Sequence, residues 1–425
     1  MNVLVIGSGA REHALVRSLA ADPGVDAIVV APGNAGIDGL AQCRPVDVAD
    51  PAAIAGLAAE LGPDLVVIGP EVPLVAGAAD AVRARGIPCF GPSAEAARLE
   101  GSKAFAKEVM AACEVPSAMA HVCTNADQAA LALDAFGPPY VVKDDGLAAG
   151  KGVIVTDDRV AALEHASACF DRPGGTVLVE EYLDGPEVSL FCITDGSTVV
   201  PLAPAQDFKR VGDGDEGANT GGMGAYSPLP WAPATLVADV VERVAQPVID
   251  ELAKRGTPFV GVLYCGLALT GRGVRVIEFN ARFGDPETQV VLPRLVTPLG
   301  GLLLAAATGK LADVPPLRWR DEAAVTVVLA AEHYPATPRT GDPLAGLEDA
   351  DGVEGAWVLH AGTRRDDAGR VVSSGGRVLS VVGMGEDLAG ARHSAYDAVQ
   401  RISLDGSHYR RDIAERAAAG TVPTL

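Results

Sequence analysis

The chain contains the stretch Val141-Val142-Lys143-Asp144-Asp145-Gly146-Leu147-Ala148-Ala149-Gly150-Lys151-Gly152, which carries the strongest structural signal in the sequence. Its apolar start predicts a strand that delivers Lys143, and the glycines with Lys151 predict a mobile loop before a second strand begins at Val153. Free backbone N–H groups and a lysine in such a loop can close over a triphosphate and neutralise it. The spacing is not that of a P-loop, and a solvated hairpin is the alternative interpretation.

A second informative stretch reads Ile277-Glu278-Phe279-Asn280-Ala281-Arg282-Phe283-Gly284-Asp285-Pro286-Glu287. Strand alternation would place Glu278 and Asn280 on one face and the apolar residues between them on the other. Two hard oxygen ligands on one face suit Mg²⁺, which takes one or two protein ligands together with nucleotide phosphates and water. The alternative is a half-exposed strand with incidental polar residues, and the clustered Arg282, Asp285 and Glu287 argue against it.

Length, composition and charge limit the possible classes of protein. With 425 residues, 48% of them hydrophobic and 21% charged, the chain is expected to fold as two or three α/β domains. Acidic residues outnumber Lys and Arg by 55 to 34, and the formal net charge is −21. Such a field repels phosphate backbones and anionic lipid, so we expect neither nucleic-acid nor membrane binding. An anionic small-molecule substrate would need a local basic cluster.

The cysteines and the N-terminus bear on the cellular compartment. Seven cysteines are scattered without Cys-x-x-Cys spacing, which suits a reducing compartment with free thiols. A strand-like run begins at Val3 with no basic segment before it, so no signal peptide is expected. The apolar runs are too short to span a bilayer. We therefore expect a soluble, cytoplasmic protein.

The chain divides into three regions by pattern. Residues 1–103 alternate buried-strand runs with helical stretches, which predicts a parallel βαβ domain ending near Gly101-Ser102-Lys103. Residues 104–320 carry most motifs and several strand candidates, two of them joined by the hairpin turn Thr270-Gly271-Arg272-Gly273. Residues 321–425 predict a small α+β domain. Residues 207–230 are rich in Gly, Asp and Asn without periodicity, so a long functional or solvated loop is expected.

Three weaker motifs leave alternatives open. Gly7-Ser8-Gly9-Ala10-Arg11-Glu12 follows a strand and opens a helix, which suits either an anion site or a tight turn. Glu12 stands where a dinucleotide fingerprint needs Gly or Ala, which argues against a nicotinamide site. The turn Glu180-Glu181-Tyr182-Leu183-Asp184-Gly185-Pro186-Glu187 could present backbone and carboxylates to a nucleoside, although Asp-Gly-Pro is also an ordinary turn. Tyr409-Arg410-Arg411-Asp412 could hold a phosphate or simply start an exposed helix.

Taken together and in this order, the segments resemble the phosphoribosylamine–glycine ligase (glycinamide ribonucleotide synthetase) family of the ATP-grasp superfamily. The resemblance runs nearly end to end. Besides the stretches above, it includes Ala31-Pro32-Gly33-Asn34-Ala35-Gly36, Gly69-Pro70-Glu71-Val72-Pro73-Leu74-Val75 and Glu100-Gly101-Ser102-Lys103. It implies an N-terminal substrate-binding domain, a central ATP-grasp domain with a mobile lid at about residues 121–190, and a C-terminal domain. Phe208 departs from the family, where a histidine is frequent.

The resemblance also implies roles for individual residues. ATP would contact Lys103, Lys143, Gly146, Gly150, Lys151, Gly152, Glu180, Glu181, Leu183 and Glu187. Glu278 and Asn280 would bind Mg²⁺ or Mn²⁺. Substrate contacts would come from Gly9, Arg11, Glu12, Asn34, Glu71, Asp207, Lys209, Arg282, Asp285, Arg410 and Arg411, with Lys143, Asp207 and Arg282 as the catalytic candidates.

The activity implied by the resemblance is the ATP-dependent joining of glycine to 5-phosphoribosylamine in purine biosynthesis. The products would be glycinamide ribonucleotide, ADP and phosphate, with glycyl phosphate as the intermediate and a monomer as the expected state. Two rivals stay open at this point: another ATP-grasp carboxylate–amine ligase, and a non-catalytic nucleotide-binding module. The second rival would bind ATP without turnover, and the Glu278–Asn280 pair argues against it.

Overall fold

The fold is taken from a computed structural model that describes residues 1–146, 152–172 and 174–422. The N-terminal region is a five-stranded parallel sheet in the order β3-β2-β1-β4-β5. All four residues of its strand Leu65–Ile68 are buried, as is usual for parallel strands covered on both faces. The elements are β1 (Asn2–Gly7), α1 (Ala10–Ala20), β2 (Ala27–Pro32), β3 (Gln42–Cys43), α2 (Pro51–Leu61), β4 (Leu65–Ile68), α3 (Glu71–Val75), α4 (Ala78–Arg83), β5 (Cys89–Phe90) and α5 (Ala94–Gly101).

A second unit carries the first lysine-bearing stretch. Its four strands form an antiparallel sheet in the order β6-β9-β7-β8, and Lys143 lies opposite Val153 on one side and Leu178 on the other. The elements are α6 (Lys103–Ala112), β6 (Ala120–Cys123), α7 (Ala126–Phe136), β7 (Tyr140–Asp144), β8 (Val153–Thr156), α8 (Arg159–Phe170) and β9 (Val177–Glu180). Side chains of Ser102, Asn125 and Asp158 cap the helices that follow them, which fixes where each helix begins.

The central sheet supplies the second informative stretch. Its order is β11-β10-β16-β17, and its last two strands are joined through the predicted hairpin turn, in which Gly273 adopts a φ of 92°. The elements of this region are β10 (Glu187–Asp195), β11 (Val199–Pro201), β12 (Gln206–Asp207), β13 (Arg210–Gly212), β14 (Glu216–Asn219), β15 (Gly224–Ser227), α9 (Leu236–Val240), α10 (Gln246–Lys254), β16 (Val260–Thr270), β17 (Gly273–Asn280), α11 (Thr288–Val291) and α12 (Leu299–Ala307).

The C-terminal sheet recruits strands from the glycine-rich segment at residues 207–230. Its order is β12-β15-β18-β22-β19, while β13 and β14 pair as a separate ribbon. The prediction of a long loop without secondary structure was therefore wrong, because short strands rich in Gly and Asn show no hydrophobic periodicity. The remaining elements are β18 (Ala323–Ala330), α13 (Leu347–Asp351), β19 (Ala356–His360), β20 (Thr363–Arg365), β21 (Val371–Ser373), β22 (Arg377–Gly385), α14 (Leu388–Val399) and α15 (Glu415–Ala418).

The hydrophobic core runs across these regions instead of stopping at their borders. One cluster contains Leu4 and Ile68 of the N-terminal sheet, Val276 of β17 and Val325 of β18, each at most 3% exposed. The predicted fold class, a multidomain α/β and α+β protein with an N-terminal parallel βαβ domain, is confirmed. Over the parts of the chain that the structure describes, no helix combines the length and apolar character needed to cross a bilayer.

Candidate active site

A cavity of about 1530 Å³ lies where the three regions meet. The N-terminal region lines it with Arg11 and Glu71, the central region with most of the motif residues, and the C-terminal region with Arg411 and Arg416. Its volume exceeds the usual range for a single small-molecule site, which leaves room for more than one ligand.

One end of this cavity, the nucleotide end, is formed by Lys103, Lys143, Gly146, Gly152, Glu180 and Leu183. The Nζ atom of Lys103 donates to the Gly146 carbonyl at 2.9 Å, so the start of α6 is fastened to the end of β7. Lys143 Nζ lies 2.7 Å from Glu180 and 3.2 Å from the Ile277 carbonyl. Of the residues expected here, Gly150 and Lys151 lie outside the described residues.

Glu278 and Asn280 both line the cavity from the last strand of the central sheet. They lie opposite Gly266 and Tyr264 of β16, with Phe279 between them buried, as the alternation predicted. Burial alone would raise the pKa of Glu278, but nearby cations, Lys209 and Lys143 foremost, hold it below its usual range. The carboxylate is therefore charged at neutral pH and able to bind a cation.

The donor set fits a cation that brings its own further ligands. In the parts of the chain that the structure describes, no three His, Cys, Asp or Glu side chains are grouped so that they could hold a metal ion. A pair consisting of one carboxylate and one amide matches the usual protein contribution to Mg²⁺ bound with nucleotide phosphates.

The part of the cavity around Asp207 is rich in carboxylates. Lys209 Nζ lies 2.5 Å from Glu187. Burial raises the pKa of Asp207 to about 8; Lys209 opposes the shift, and the negative charges of Glu287 and Glu187 reinforce it. A carboxyl group with this pKa can release or accept a proton near neutral pH.

A hydrogen-bonded group beside Asp207 was missed by the sequence interpretation. Tyr264 and Ser189 both donate to Oε1 of Glu287, at 2.8 and 3.0 Å, and their own oxygens lie 2.8 Å apart. Glu287 is 3% exposed. Ser189 and Tyr264 gave no sequence signal because each is a single polar residue within an apolar strand.

Arg282 connects the segment after β17, the strand of Glu278 and Asn280, to the N-terminal region. Its guanidinium lies 2.9 Å from Glu100 and 3.3 Å from Glu71, and these carboxylates help to raise its pKa although burial would lower it. Glu100 also accepts from the Ala281 backbone N–H at 2.7 Å. The quoted sequence contained Glu100, but only the folded chain shows that it pairs with Arg282.

Of the N-terminal candidates, Arg11 lines the cavity, whereas Gly9, Glu12 and Asn34 do not. Glu12 is 1% exposed and accepts from the Gly9 backbone N–H at 2.6 Å and from Arg11 at 2.5 Å. The Asn34 amide donates to the Ser8 and His360 carbonyls, both at 2.8 Å. These contacts hold loops in place and do not support direct substrate binding by Glu12 and Asn34.

The two C-terminal arginines behave differently. Arg410 is 1% exposed, pairs with Asp215 at 2.7 Å and Asp412 at 2.6 Å, and lies 4.9 Å above the ring of Phe208. Its guanidinium is used in holding the segment that contains Asp215, which does not support a role in phosphate binding. The neighbouring Arg411 lines the cavity.

Asp285 lies where the N-terminal and C-terminal regions approach each other. It accepts from Gln289 at 2.7 Å and lies 3.4 Å from Arg377, and both it and Arg377 line the cavity. Burial raises the pKa of Asp285, but Arg377 and Arg11 shift it below its usual range. Neither Gln289 nor Arg377 was identified from the sequence.

Comparisons with known proteins point to one family along nearly the whole chain. Three family models match: phosphoribosylglycinamide synthetase N domain over residues 1–100, its ATP-grasp (A) domain over 101–288, and its C domain over 324–416. Phosphoribosylamine–glycine ligase of Streptomyces coelicolor is 68% identical over 98% of this chain and 100% of its own length. The Mycobacterium tuberculosis ligase is 60% identical over 99% and 100%.

Solved structures give the same result. The crystal structure of phosphoribosylamine–glycine ligase from Thermotoga maritima has a TM-score of 0.84 and 32% identity, covering 97% of this chain and 100% of that one. A biotin carboxylase domain from Hydrogenobacter thermophilus shares the fold, with a TM-score of 0.70 at 17% identity, covering 96% of this chain and 91% of that one. From its sequence matches and its structure, the chain belongs to the phosphoribosylglycinamide synthetase family.

Proposed function

We propose that this ATP-dependent ligase joins glycine to 5-phosphoribosylamine by first converting the glycine carboxylate to glycyl phosphate. The ligase activity follows from family membership, since relatives 68% and 60% identical over their full length are phosphoribosylamine–glycine ligases. The family match removes the non-catalytic module from consideration. The observation that carries the mechanism is the single cavity containing Lys143, Glu278, Asp207 and Arg282.

The first step needs charge compensation at the nucleotide. A glycine carboxylate oxygen attacks the γ-phosphorus of ATP, the bond to the β–γ bridging oxygen breaks, and ADP leaves. Lys103 and Lys143 would stabilise the charge that moves onto the departing oxygens. Glu278 and Asn280 would hold Mg²⁺ or Mn²⁺, which would supply electrostatic stabilisation of the phosphoryl groups when bound.

The second step forms the amide bond. The amine of 5-phosphoribosylamine attacks the acyl carbon, the carbon–oxygen bond to phosphate breaks, and phosphate leaves. Asp207, with a pKa of about 8, is suited to take the proton that the amine loses. Arg282, fixed by Glu71 and Glu100, would stabilise negative charge on the acyl oxygen and phosphate.

Substrate orientation, compartment and assembly are also proposals. Arg411 and Arg11 line the cavity and would receive the ribose phosphate. Seven free thiols among the described residues support a cytoplasmic location. A monomer remains the expected state.

The proposed function is tested by measuring ADP release with ATP, Mg²⁺, glycine and freshly generated 5-phosphoribosylamine, omitting each in turn. Turnover should require all four. Replacing glycine with alanine or β-alanine supplies a matched test of the acid substrate. Turnover that persists without glycine, or is equal with alanine, would contradict the substrate assignment while leaving the nucleotide site intact.

A further inference from the structure

A buried chain of three charged side chains lies at the nucleotide end of the cavity. Glu180, 3% exposed at the end of β9, places Oε2 2.7 Å from Lys143 and Oε1 3.0 Å from Lys107 on α6. Lys107 was not among the residues predicted from the sequence. It lines the same cavity as the two residues it acts with.

The two lysines differ in how many of their ammonium protons have an acceptor within the protein. Lys107 Nζ donates to the Ala118 carbonyl at 2.7 Å and lies 3.5 Å from Ser117 Oγ, so with Glu180 its three protons have nearby acceptors. Lys143 Nζ has Glu180 and the Ile277 carbonyl, the latter at a longer 3.2 Å. Among the residues that the structure describes, these two are the acceptors of Lys143, so one ammonium proton is left for a ligand in the cavity.

The charges in this group do not balance. Two ammonium groups share one carboxylate in direct contact, which leaves one positive charge unpaired among these three side chains, which are only 14%, 7% and 3% exposed. Glu181 acts on Lys107, and Glu278 acts on Lys143, from outside this group. Burial lowers the pKa of Lys107, and the neighbouring Lys143 lowers it further, while Glu180 opposes the shift. An excess charge in such surroundings is weakly screened and attracts an anion.

We propose that Lys107 is a positioning residue for the nucleotide phosphates. By holding one oxygen of Glu180, it prevents that carboxylate from neutralising Lys143 and keeps the Lys143 ammonium directed at the phosphates. The inference rests on the proposed nucleotide site and adds to it a residue that acts only through Glu180. Without Lys107, Glu180 and Lys143 would form a neutral pair.

The direct test is nucleotide binding by the full chain carrying Lys107→Met. We expect ATP and ADP to bind about tenfold more weakly, since an uncompensated cation would be lost from a poorly screened site, whereas adenosine binding should change little. The KM for ATP should rise while the KM for glycine stays near its normal value. Lys107→Arg should restore most of the affinity, and Lys254→Met, at an exposed lysine of α10, is the matched control.

A double variant separates this electrostatic role from a general loss of packing. Glu180→Gln added to Lys107→Met removes the carboxylate that would capture Lys143, so ATP affinity should recover relative to Lys107→Met alone. No recovery, unchanged ATP binding by Lys107→Met, or equal weakening of adenosine and ATP would overturn the inference. Failure of the unmodified chain to bind ATP would overturn the nucleotide site itself.

Discussion

The surroundings of two carboxylates in one cavity, Glu278 and Asp207, shift their pKa values in opposite directions. The pKa of Glu278 lies below its usual range because four cations outweigh its burial. The pKa of Asp207 rises to about 8, because burial and three neighbouring carboxylates outweigh the single cation Lys209. The same cavity thus holds one carboxylate that stays charged and one that can exchange a proton at physiological pH.

The charged groups around the two carboxylates come from different elements, although Lys209 acts on both. Lys103 and Lys143 come from α6 and β7, and they face the strand that carries Glu278. Glu187 and Glu287 flank Asp207 and come from β10 and the segment after β17. The cation-rich side suits phosphates and a metal ion, and the carboxylate-rich side suits the amino groups of the two substrates.

The largest effect is expected from Glu278→Ala, which removes the charged ligand on the cation-rich side. We expect kcat/KM to fall by about a thousandfold or more, because the phosphoryl transfer would lose metal-based charge stabilisation. Steady-state kinetics over a Mg²⁺ titration would show a higher metal requirement. Glu242→Ala, at an exposed acid beyond α9, is the control and should leave both quantities unchanged.

The second-largest effect is expected from removing the carboxyl group of Asp207 that exchanges a proton. Asp207→Asn should lower kcat by about a hundredfold near pH 7, the usual scale for loss of a general base. It should also remove the inflection expected near pH 8 in the pH–rate profile of the normal enzyme. A pH–rate profile that keeps this inflection in the variant would assign it to another group.

Substitutions of the same two carboxylates should change the stability of the ligand-free protein to thermal unfolding in opposite directions. Asp207 holds its proton in the folded state up to pH of about 8, while the unfolded chain releases it near pH 4, so stability falls as pH rises between these values. Asp207→Asn should therefore raise the free energy of unfolding at pH 8 by a few kcal/mol, on the order expected for such a shift.

Glu278→Gln should act in the opposite direction. Because its folded-state pKa is depressed, Glu278 contributes stability above its unfolded pKa that is lost as pH falls through the folded value. The substitution should lower the melting temperature at pH 8. Shifts of the same sign in the two variants would contradict the account.

The smallest effect is expected from substituting the C-terminal arginines. These variants test where the phosphate of 5-phosphoribosylamine binds. Arg411→Gln should raise the KM for 5-phosphoribosylamine several-fold, as for loss of one partly exposed charge pair, without changing the melting temperature. Arg410→Gln should instead lower the melting temperature, because Asp215 and Asp412 would lose their buried partner. If Arg410→Gln raised the KM and Arg411→Gln lowered the melting temperature, Arg410 would be the phosphate ligand and Arg411 the structural residue.

The sequence predicted the parts of the site that depend on local pattern. Lys143 ends an apolar run, and Glu278 and Asn280 are two residues apart, so strand alternation alone indicated their placement. The family resemblance added ATP binding by Lys103 and catalytic roles for Asp207 and Arg282, and these roles remain predictions.

The rest of the site depends on contacts between distant residues. Lys107 and Glu180 are far apart in the chain, as are Glu100 and Arg282, and no periodicity links the members of either pair. Arg410 illustrates the converse: a cationic motif suggested phosphate binding, but two aspartates and Phe208 surround it. The pairing of β12 with β15 was missed because two- and four-residue strands are too short to show alternation.

The first proposed step is transfer of the γ-phosphoryl group of ATP to the carboxylate of glycine, assisted by Lys103 and Lys143. We would test it by incubating the enzyme with ATP, Mg²⁺ and glycine, and with hydroxylamine in place of 5-phosphoribosylamine. We expect glycine hydroxamate in amounts equal to the ADP released, and neither product with Glu278→Ala. Normal turnover with 5-phosphoribosylamine, accompanied by ADP release without any hydroxamate in the trapping reaction, would contradict glycyl phosphate as the intermediate.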